Sequence, residues 1–507
     1  MGFSTMFSKF TLPFAQSYFA HLASRLERAS FYPQVAKAAQ AQTLSRLVAS
    51  LGGSEVGQRF GLAAVRNTED ARGLPYTDSK TLSSYFKKVY KMGAEGSGVF
   101  GRSRVLAFGQ TSGTTSEPKR VPLTREYMAS YRRSSVLMTA LFFHHTGRWE
   151  SLFSGKRLIL GARPVVERTA DGLPVGYVSG IMATKVPLFL RTRFLPKPSV
   201  LDIPEWDEKF ERILDQCERE DVQMIAGIPL LVGAFSERAL ARYKVKTLVE
   251  RWPNLGALVF GGVTLSSRGK NEFARMWGVD PYFLELYAAT EGQFGHTFHK
   301  DWPGMVFNPF ENFYQFLEVG ADGEPARGPY LQMHELEKGK RYVFFVTTPG
   351  GLVNYRMGDV VEILSDAPIC FRVVGRETEE LSVAGEKITT DQLEKVLVDL
   401  GGAVDDCAIW IEEGNPNGLV WGVSVKSGAA VAGVELAQQL DQALCTHNDV
   451  YRELRVDDFG YKGSRVVVIE KAVFQRFRDK HLDRGQFKGR RLYRAQEAFE
   501  RDYEVRV

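Results

Sequence analysis

A stretch of small hydroxyl residues follows the apolar run 105–108 and has the composition of a phosphate-binding loop. Lys119 stands shortly after it, and the stretch itself reads, in order, Thr111, Ser112, Gly113, Thr114 and Thr115. Hydroxyl and backbone N–H groups in such a loop donate hydrogen bonds to phosphate oxygens, and a lysine adds a charged donor. The loop is not of the Walker type, because the sequence contains no G-x4-G-K-[ST] pattern. Taken alone, the segment leaves a polar surface turn as the alternative.

Two carboxylates further along the chain have settings suited to a nucleotide. Glu291 ends the string Tyr287-Ala288-Ala289-Thr290-Glu291, in which the carboxylate can bind Mg²⁺ and the Tyr287 ring can stack on a base. Asp359 follows Gly358, and its two oxygens can accept both hydroxyls of a ribose. A surface hairpin with an Arg356–Asp359 pair is the alternative for this second site. The order of the loop and the two carboxylates favours a nucleotide site over separate surface features.

Two lysines near the C-terminus are placed where a long side chain can reach a phosphate. Lys488 lies in a glycine-flanked loop between helical segments, and Lys387 lies in the turn that enters the last part of the chain. Most of the 65 Lys and Arg residues are expected to be solvated surface charges. We predict that Lys488 contacts the nucleotide, whereas a surface role stays open for Lys387.

The elements that must position these residues are those of an α/β protein, because short apolar runs alternate with helical stretches. The candidate buried strands are 157–162, 255–262, 282–287 and 342–347. Loops at the ends of such strands are where α/β proteins bind ligands. We therefore expect the functional residues to lie just after the strands.

The residues after 380 predict a smaller α/β unit. Thr389 and Gln392 have capping-box spacing at the start of a helix that Gly401 ends. Then follow an apolar run at 407–411, an Asn-Pro-Asn-Gly turn at 415–418 and a second apolar run at 419–425. A helix at 434–444, a strand at 465–469 and a basic helical segment come after them. The sequence thus predicts a large N-terminal domain of residues 1–380 with several sheets flanked by helices, and a smaller C-terminal α/β domain of residues 381–507.

Composition narrows the classes of function. Hydrophobic residues make up 44% and charged residues 25%, which is typical of a folded globular protein. The formal net charge is +5 with no long block of like charge, so nucleic acid is not expected as a partner. No stretch approaches the roughly 20 apolar residues of a transmembrane helix. The four scattered cysteines indicate a reducing cytoplasm and no zinc site, and the oligomeric state is left open.

A helical stretch at 127–143 carries Met128, Tyr131 and Met138 at mixed spacings of three and four. Core packing is the simpler interpretation of such a stripe. The alternative is the wall of a pocket for an aromatic or aliphatic acid without a second charge. The histidines form no triad pattern and G-x-S-x-G is absent, so a serine hydrolase has no support.

The order of the motifs resembles that of the adenylate-forming superfamily. The strings TSGTT…K, YAATEG and YRMGD are followed by FRVVGR at 371–376 and LSVAGEK at 381–387. Within the superfamily the chain resembles the Gretchen Hagen family of acyl-acid amido synthetases, the plant enzymes that conjugate auxin, jasmonate and benzoates to amino acids. The strings WPN at 252–254, EKIT at 386–389 and QFKGR at 486–490 carry this closer likeness. It extends from about residue 100 to about residue 495.

The resemblance implies a role for each candidate residue. It places Thr111 to Thr115 and Lys119 on the phosphates of ATP, and Gly261 and Gly262 with Tyr287 around the adenine. It places Thr290 at the α-phosphate, Glu291 on Mg²⁺, and Asp359 on the ribose hydroxyls with Arg376 beside it. Glu291, Lys387 and Lys488 are implied as catalytic residues. The two lysines would lie on a mobile C-terminal domain, and we predict that this domain pivots at 377–380 between the two half-reactions. Ser116 and Glu117 depart from the family pattern, which has a glycine in the phosphate loop.

These inferences lead to one main hypothesis and two alternatives. The main one is an ATP- and Mg²⁺-dependent ligase that adenylates a hydrophobic carboxylic acid and transfers the acyl group to an amine, with an amino acid as the expected acceptor. The first alternative keeps the adenylation and transfers the acyl group to coenzyme A or a carrier-protein thiol. The second is a protein that binds a nucleotide or an acid without catalysis.

Overall fold

Our computed structural model of the protein describes most of the chain. The described residues are 3–110, 119–152, 154–186, 188–262, 265, 267–319, 328–376, 380–381, 388–401, 403–412, 418–426, 433–448, 451–452, 455, 462–482, 491–493 and 495–507.

The helices precede, separate and follow the strands along the whole chain. In chain order they are α1 Phe3–Phe31, α2 Pro33–Leu51, α3 Glu55–Arg59, α4 Ser83–Met92, α5 Arg125–Thr146, α6 Val178–Thr184, α7 Leu188–Arg191, α8 Pro198–Leu201, α9 Trp206–Cys217, α10 Pro229–Tyr243, α11 Leu248–Arg251, α12 Ser267–Trp277, α13 Thr390–Asp399, α14 Gly433–His447, α15 Lys471–Leu482 and α16 Gln496–Tyr503.

The strands are mostly short. In chain order they are β1 Val105–Gln110, β2 Arg120–Thr124, β3 Lys156–Ile159, β4 Glu167–Arg168, β5 Pro174–Gly176, β6 Phe194–Leu195, β7 Val222–Ala226, β8 Ala257–Gly261, β9 Tyr282–Ala289, β10 Gly292–Thr297, β11 Met305–Phe307, β12 Phe313–Glu318, β13 Leu331–Gln332, β14 Arg341–Thr347, β15 Tyr355–Asp366, β16 Ile369–Arg376, β17 Glu380–Leu381, β18 Ile388–Thr389, β19 Val404–Glu412, β20 Gly418–Val425, β21 Arg465–Val468 and β22 Leu492–Tyr493.

A 12-stranded sheet runs through the N-terminal part in the order β13-β12-β14-β15-β16-β11-β10-β9-β8-β7-β3-β6. From β9 to β6 neighbouring strands are parallel, whereas from β9 to β13 they are antiparallel. The parallel part is apolar on both faces: Leu258 and Phe260 pack into one hydrophobic cluster, and Ala257 and Val259 into another. The β9–β10 turn, which carries Thr290 and Glu291, therefore lies where the two parts of the sheet join.

The phosphate-loop segment is flanked by a smaller sheet. Strands β2, β1, β5 and β4 form a 4-stranded sheet in that order. Strand β1 ends at Gln110, just before the loop, and β2 begins at Arg120, just after Lys119. Helix α5 follows β2 directly and begins with a side-chain cap, because the Thr124 hydroxyl accepts a hydrogen bond from the Tyr127 N–H.

The C-terminal part has its own sheet, in the order β21-β20-β19-β22. Alternate residues of β19 point to opposite faces. Cys407 and Ile409 pack in a cluster with α13 and α14, whereas Ala408 and Trp410 pack in a cluster with α15 and α16. These two clusters contain only residues from Leu381 onward, and the other clusters contain only residues before it. A domain boundary at 380/381 remains our prediction, and the separate cores support it.

Most of the predicted elements are present. The four candidate strands correspond to β3, β8, β9 and β14, although β3 ends at Ile159 rather than at 162. The capping box at Thr389 and Gln392 is formed, and Gly401 follows the helix in the left-handed region with φ +59°. The predicted turn at 415–418 lies largely outside the described residues. Within the described part of the chain, the helices all fall short of the length and apolarity needed to cross a bilayer.

Candidate nucleotide site

Residues from three separate motifs meet at Glu291. The Lys119 ammonium donates hydrogen bonds to Glu291 Oε1 and, at 2.9 Å, to the Tyr355 hydroxyl. The Tyr355 hydroxyl lies 3.4 Å from the same carboxylate oxygen. The Lys119 and Glu291 side chains are 20% and 9% exposed, so the ion pair is largely shielded from water. The fold thus brings Lys119, at the end of the predicted phosphate loop, against the predicted metal ligand.

The charges and the burial of this cluster set the protonation states of Lys119 and Tyr355. Burial disfavours the ammonium of Lys119, but Glu291 and Tyr355 together outweigh burial and raise the pKa of Lys119. Burial and the negative charge of Glu291 raise the pKa of Tyr355 to about 12. At neutral pH the cluster therefore holds a protonated lysine and a neutral tyrosine, both able to donate hydrogen bonds.

A second hydrogen bond joins the YAATEG and YRMGD motifs, at Asp359. The Tyr287 hydroxyl donates a hydrogen bond to Asp359 Oδ2, and Asp359 is 2% exposed. The Tyr287 ring packs against Phe294, Phe344 and Phe371, with centroid distances of 5.4, 5.6 and 6.2 Å. Asp359 is therefore buried and held in place, which argues against the surface hairpin that the sequence left open.

A bulge inside β15, rather than a free turn, directs Asp359. Phe345 pairs with Arg356 and Val343 pairs with Val360, so the three residues 357–359 lie opposite one residue of β14. Gly358 has φ +75°, in the left-handed region that glycine enters at little cost. A bulge of this kind turns a side chain away from its regular alternation. The sequence correctly predicted that a glycine relieves the backbone before Asp359, but it predicted a turn where the structure has a bulge.

Gly261 and Gly262 lie at the end of β8, beside the strand that carries Tyr287. Gly261 pairs with Leu286 of β9, and a Cβ at Gly261 would lie 2.5 Å from the Leu286 carbonyl oxygen. Gly262 has φ +82°. Glycine is therefore needed at both positions, and the backbone here passes close to the strand end where we predict the adenine.

A cleft opens between α5 and the β9–β10 turn. It is small and partly open to solvent, with a cavity volume of about 10 Å³, and its walls include Tyr127, Tyr131, Glu291, Gln293 and Thr348. The Tyr127 hydroxyl donates a 3.1 Å hydrogen bond to the Thr290 carbonyl oxygen. This contact fixes α5 to the turn that carries Glu291, so the cleft borders the Lys119–Glu291–Tyr355 cluster.

The three residues proposed for an acid pocket are divided by the fold. Tyr131 lines the cleft. Met128 packs with Leu123 and Val178 in one hydrophobic cluster, and Met138 packs against a different one. The mixed spacing of the stripe thus directs the two methionines to two packed regions.

Several predicted site residues lie outside the described parts of the chain. Thr111, Ser112, Gly113, Thr114, Thr115, Lys387 and Lys488 are among them, as are hinge positions 377–379. Arg376 ends β16, and its backbone pairs with Asp359. The roles of these residues remain predictions.

The sequence does not single out Tyr355, Tyr127 and Gln293 as members of this region. Tyr355 lies in the YRMGD string and Tyr127 in the helical stretch 127–143, and neither pattern indicates a functional role for these residues. A position next to a predicted functional residue was the one available signal for Tyr355 and Gln293, because a tyrosine or glutamine alone indicates no particular chemistry.

His296 on β10 should make the stability of the protein depend on pH. It is 2% exposed, and its Nε2 has no hydrogen-bond partner among the described residues. Burial lowers the pKa of His296 to about 4, from an ordinary value of 6.5. Between these values the unfolded chain binds a proton that the folded chain does not, so stability falls as the pH falls. We expect a loss of about 3 kcal/mol from this residue by pH 4, at about 1.4 kcal/mol per pKa unit.

The His296→Gln variant should show a flatter profile of unfolding free energy between pH 6.5 and 4, measured by urea denaturation. His21→Gln, at an exposed position on α1, is the control and should keep the wild-type slope. If His296→Gln also keeps that slope, His296 is not the source of the acid sensitivity.

Solved structures of adenylate-forming enzymes share this fold. The structure described as AtGH3.15 acyl acid amido synthetase in complex with 2,4-DB has a TM-score of 0.75 at 19% identity, and the match covers 96% of each chain. A second structure of GH3.15 acyl acid amido synthetase has a TM-score of 0.72 at 17% identity, over 92% of this chain and 93% of that one. A 2-hydroxyisobutyryl-CoA ligase in the postadenylation state has a TM-score of 0.58 at 12% identity, over 94% of each chain. At these identities the likeness shows the fold.

The chain belongs to the GH3 family. The family descriptions "GH3 family N-terminal domain" and "GH3 family central domain" match residues 25–227 and 305–376. This result confirms the resemblance to the Gretchen Hagen family that the motifs indicated. Glu291 falls between the two matched segments, and Lys119 and Asp359 fall within them.

Curated relatives match part of the chain. A probable indole-3-acetic acid-amido synthetase GH3.1 of Oryza sativa subsp. japonica is 26% identical over 227 residues, which are 40% of this chain and 37% of that protein. Indole-3-acetic acid-amido synthetase GH3.4 of Arabidopsis thaliana is 25% identical over 229 residues, 40% of this chain and 38% of that protein. A human GH3 domain-containing protein is 28% identical over 181 residues, 34% of this chain and 33% of that protein. The matched segments span less than half the length of these relatives.

Proposed function

We propose that this protein is an ATP-dependent acyl-acid amido synthetase, which adenylates a carboxylic acid and transfers the acyl group to an amine such as an amino acid. The observation that carries the proposal is the meeting of Lys119, Glu291 and Tyr355, which come from the three motifs of the predicted ATP site. Membership of the GH3 family supports it, as do the names of the relatives.

The residues of the site can perform the binding that this reaction needs. Lys119 presents a protonated ammonium to a phosphate, and Asp359 presents two carboxylate oxygens to a pair of hydroxyls. The thermodynamic problem of the first step is charge, because a carboxylate must approach the α-phosphorus of ATP. A cation about 4 Å from a developing negative charge offsets roughly 4 kcal/mol at an effective dielectric near 20. No general base is required, since the acid is already ionised at neutral pH.

The chemistry of the site also fits Mg²⁺, which ATP-dependent ligases use. Mg²⁺ prefers oxygen ligands and is usually held by one or two carboxylates together with substrate phosphates. Glu291 supplies a largely buried carboxylate beside the predicted phosphate loop. The described residues contain no group of three or more His, Cys, Asp or Glu side chains that could hold a metal by themselves. Glu291 would therefore hold the ion together with phosphate oxygens, and the bound ion would neutralise phosphate charge.

The second step needs access for the amine after pyrophosphate has left. We propose that the unit from residue 381 onward is a mobile cap that carries Lys387 and Lys488 over the nucleotide in one pose and admits the amine in another. Its separate hydrophobic clusters support movement as a unit. The pivot would lie at residues 377–380.

An acid screen tests the proposal. Purified protein, ATP and Mg²⁺ should release pyrophosphate when supplied with one or more members of a panel of aryl, alkyl and hydroxylated carboxylic acids. With a working acid, incubation with mixed amino acids or with coenzyme A, followed by mass spectrometry, should yield the acyl amide and no acyl-CoA.

Two other results would favour the two alternative functions. An acyl-CoA product would show that the protein is a thioester ligase and not an amido synthetase. Tight ATP binding without pyrophosphate release from any acid would point to a nucleotide-binding protein that lacks the catalysis.

A further inference from the structure

A segment ahead of α4 pairs with the strand that carries Tyr355. Thr77, which is fully buried, forms a parallel bridge with Tyr355 at the start of β15. The Thr77 N–H donates a 3.0 Å hydrogen bond to the Asn354 carbonyl oxygen, and the Thr77 carbonyl oxygen accepts one of 2.7 Å from the Arg356 N–H. The Thr77 hydroxyl donates a 2.7 Å hydrogen bond to the Val353 carbonyl oxygen. All three polar groups of Thr77 therefore bind the chain on either side of Tyr355.

Asn354, the residue before Tyr355, is held in a conformation that few side chains adopt. Its φ is +40°, in the left-handed region, which asparagine tolerates better than most residues. Its side-chain amide donates a 3.0 Å hydrogen bond to the Leu74 carbonyl oxygen, and its backbone N–H donates one of 3.0 Å to the Thr347 hydroxyl. Asn354 is fully buried, so both hydrogen bonds are shielded from water. The direction in which β15 starts is thus fixed by contacts from two other segments.

These contacts fix the backbone from which the Tyr355 side chain reaches the ion pair. The Tyr355 hydroxyl accepts a 2.9 Å hydrogen bond from the Lys119 ammonium and lies 3.4 Å from Glu291 Oε1. Strand β14 pairs with Tyr355 as well, so the tyrosine is held by two chain segments. Hydrogen bonds weaken steeply when their distance or angle changes. A small displacement of this backbone would therefore alter the contacts of Tyr355 with both charged groups.

We propose that Thr77 and Asn354 are positioning residues, which place the Tyr355 hydroxyl at the ion pair of the predicted ATP site. The inference rests on the proposed function and makes it more specific, because it adds the segment around Thr77 to the residues that shape this site. Both residues act through Tyr355 and not by contact with a substrate. A purely structural role would instead stabilise the fold and leave the activity of the folded protein unchanged.

A double-mutant cycle tests whether Thr77 acts through Tyr355. Thr77→Val keeps the shape of the side chain but removes the hydroxyl, and it should lower kcat/KM for acid-dependent pyrophosphate release by about tenfold, because small misplacements in an active site are costly. Tyr355→Phe should cause a loss of similar size. In the double variant the two losses should not multiply, so the total stays near tenfold. Thermal unfolding would verify that each variant is folded.

Two matched variants are the controls. Thr77→Ser keeps the hydroxyl and should restore most of the wild-type activity. Thr43→Val removes another buried threonine hydroxyl, which donates a 2.8 Å hydrogen bond to the Pro309 carbonyl oxygen. It should lower the stability but leave kcat/KM of the folded protein near the wild-type value.

Asn354 is tested by two substitutions that differ in backbone preference. Asn354→Gly removes the side-chain hydrogen bond to Leu74 but adopts a φ of +40° easily, whereas Asn354→Ala also opposes that conformation. Both should lower kcat/KM, and Asn354→Ala should lower it more. Wild-type kcat/KM in folded Asn354→Ala would overturn the assignment of Asn354.

A second measurement reports the position of Tyr355 without any substrate. With Tyr355 replaced by 3-fluorotyrosine, the fluorine NMR signal reports the surroundings of the ring. Thr77→Val should shift this signal by more than its line width or split it. Thr77→Ser and Thr43→Val should leave it in place.

The outcomes separate the two proposals. Wild-type kcat/KM in folded Thr77→Val, losses that multiply in the double variant, or an unmoved fluorine signal in Thr77→Val would each overturn the inference and leave the amido synthetase proposal intact. Failure of every acid to release pyrophosphate would count against the proposed function, and the fluorine signal would still decide whether Thr77 positions Tyr355.

Discussion

Asp359→Asn is expected to lower kcat/KM for ATP by about 100-fold, because hydrogen bonds to a charged acceptor are each worth roughly 1.5–3 kcal/mol. The buried Asp359 carboxylate is proposed to accept both ribose hydroxyls, and an asparagine of the same shape offers one oxygen and no charge. The effect should appear in the KM for ATP and in ATP binding measured by calorimetry. Asp359→Ala should lose at least as much.

Two controls separate ribose binding from the local structure. Tyr287→Phe removes the hydroxyl that donates to Asp359 but keeps the carboxylate and the ring, so a loss of about tenfold or less is expected. Asp366→Asn, at an exposed position in the same strand, should behave as wild type. Wild-type ATP kinetics in Asp359→Asn would refute the ribose assignment.

Lys119→Met should reduce both activity and stability. It removes the ammonium proposed to bind phosphate, and a loss of about 100-fold or more in kcat/KM is expected for such a transition-state charge. It also leaves the Glu291 carboxylate buried without its lysine, which typically costs roughly 3 kcal/mol of unfolding free energy. Pyrophosphate release and urea denaturation measure the two effects.

A double variant distinguishes these two effects. Lys119→Met with Glu291→Gln also removes the buried negative charge that faced the lysine, so it should recover much of the stability while remaining inactive. Lys88→Met is the control: it breaks an exposed 2.6 Å ion pair with Glu55, in which the side chains are 48% and 43% exposed. Such a pair contributes at most about 1 kcal/mol. A stable and fully active Lys119→Met would show that the buried pair is neither a structural nor a functional centre.

The sequence by itself determined the features that depend on neighbouring residues. The capping box of Thr389 and Gln392, the apolar run 407–411 that forms part of β19 and the apolar runs of the parallel strands are local patterns, and the structure contains each of them. The order of the motifs was sufficient to indicate the family. These predictions succeed because helix caps and strand periodicity arise from hydrogen bonds and side-chain directions within a few residues.

Only the tertiary structure decided which side chains meet. Lys119 and Glu291 are 172 positions apart in sequence, and Glu291 and Tyr355 are 64 apart, so their contact depends on how whole strands pack and in which register. The bulge at Gly358 directs Asp359 to Tyr287, and no local pattern distinguishes that bulge from a turn. The separation of Met128 from Met138, and the meeting of Gln293 and Thr348 in one cleft, likewise depend on how the elements around α5 and the β9–β10 turn pack. Such long-range contacts are set by the global arrangement of the core, because a side chain's neighbours across a sheet are fixed by strand order rather than by sequence distance.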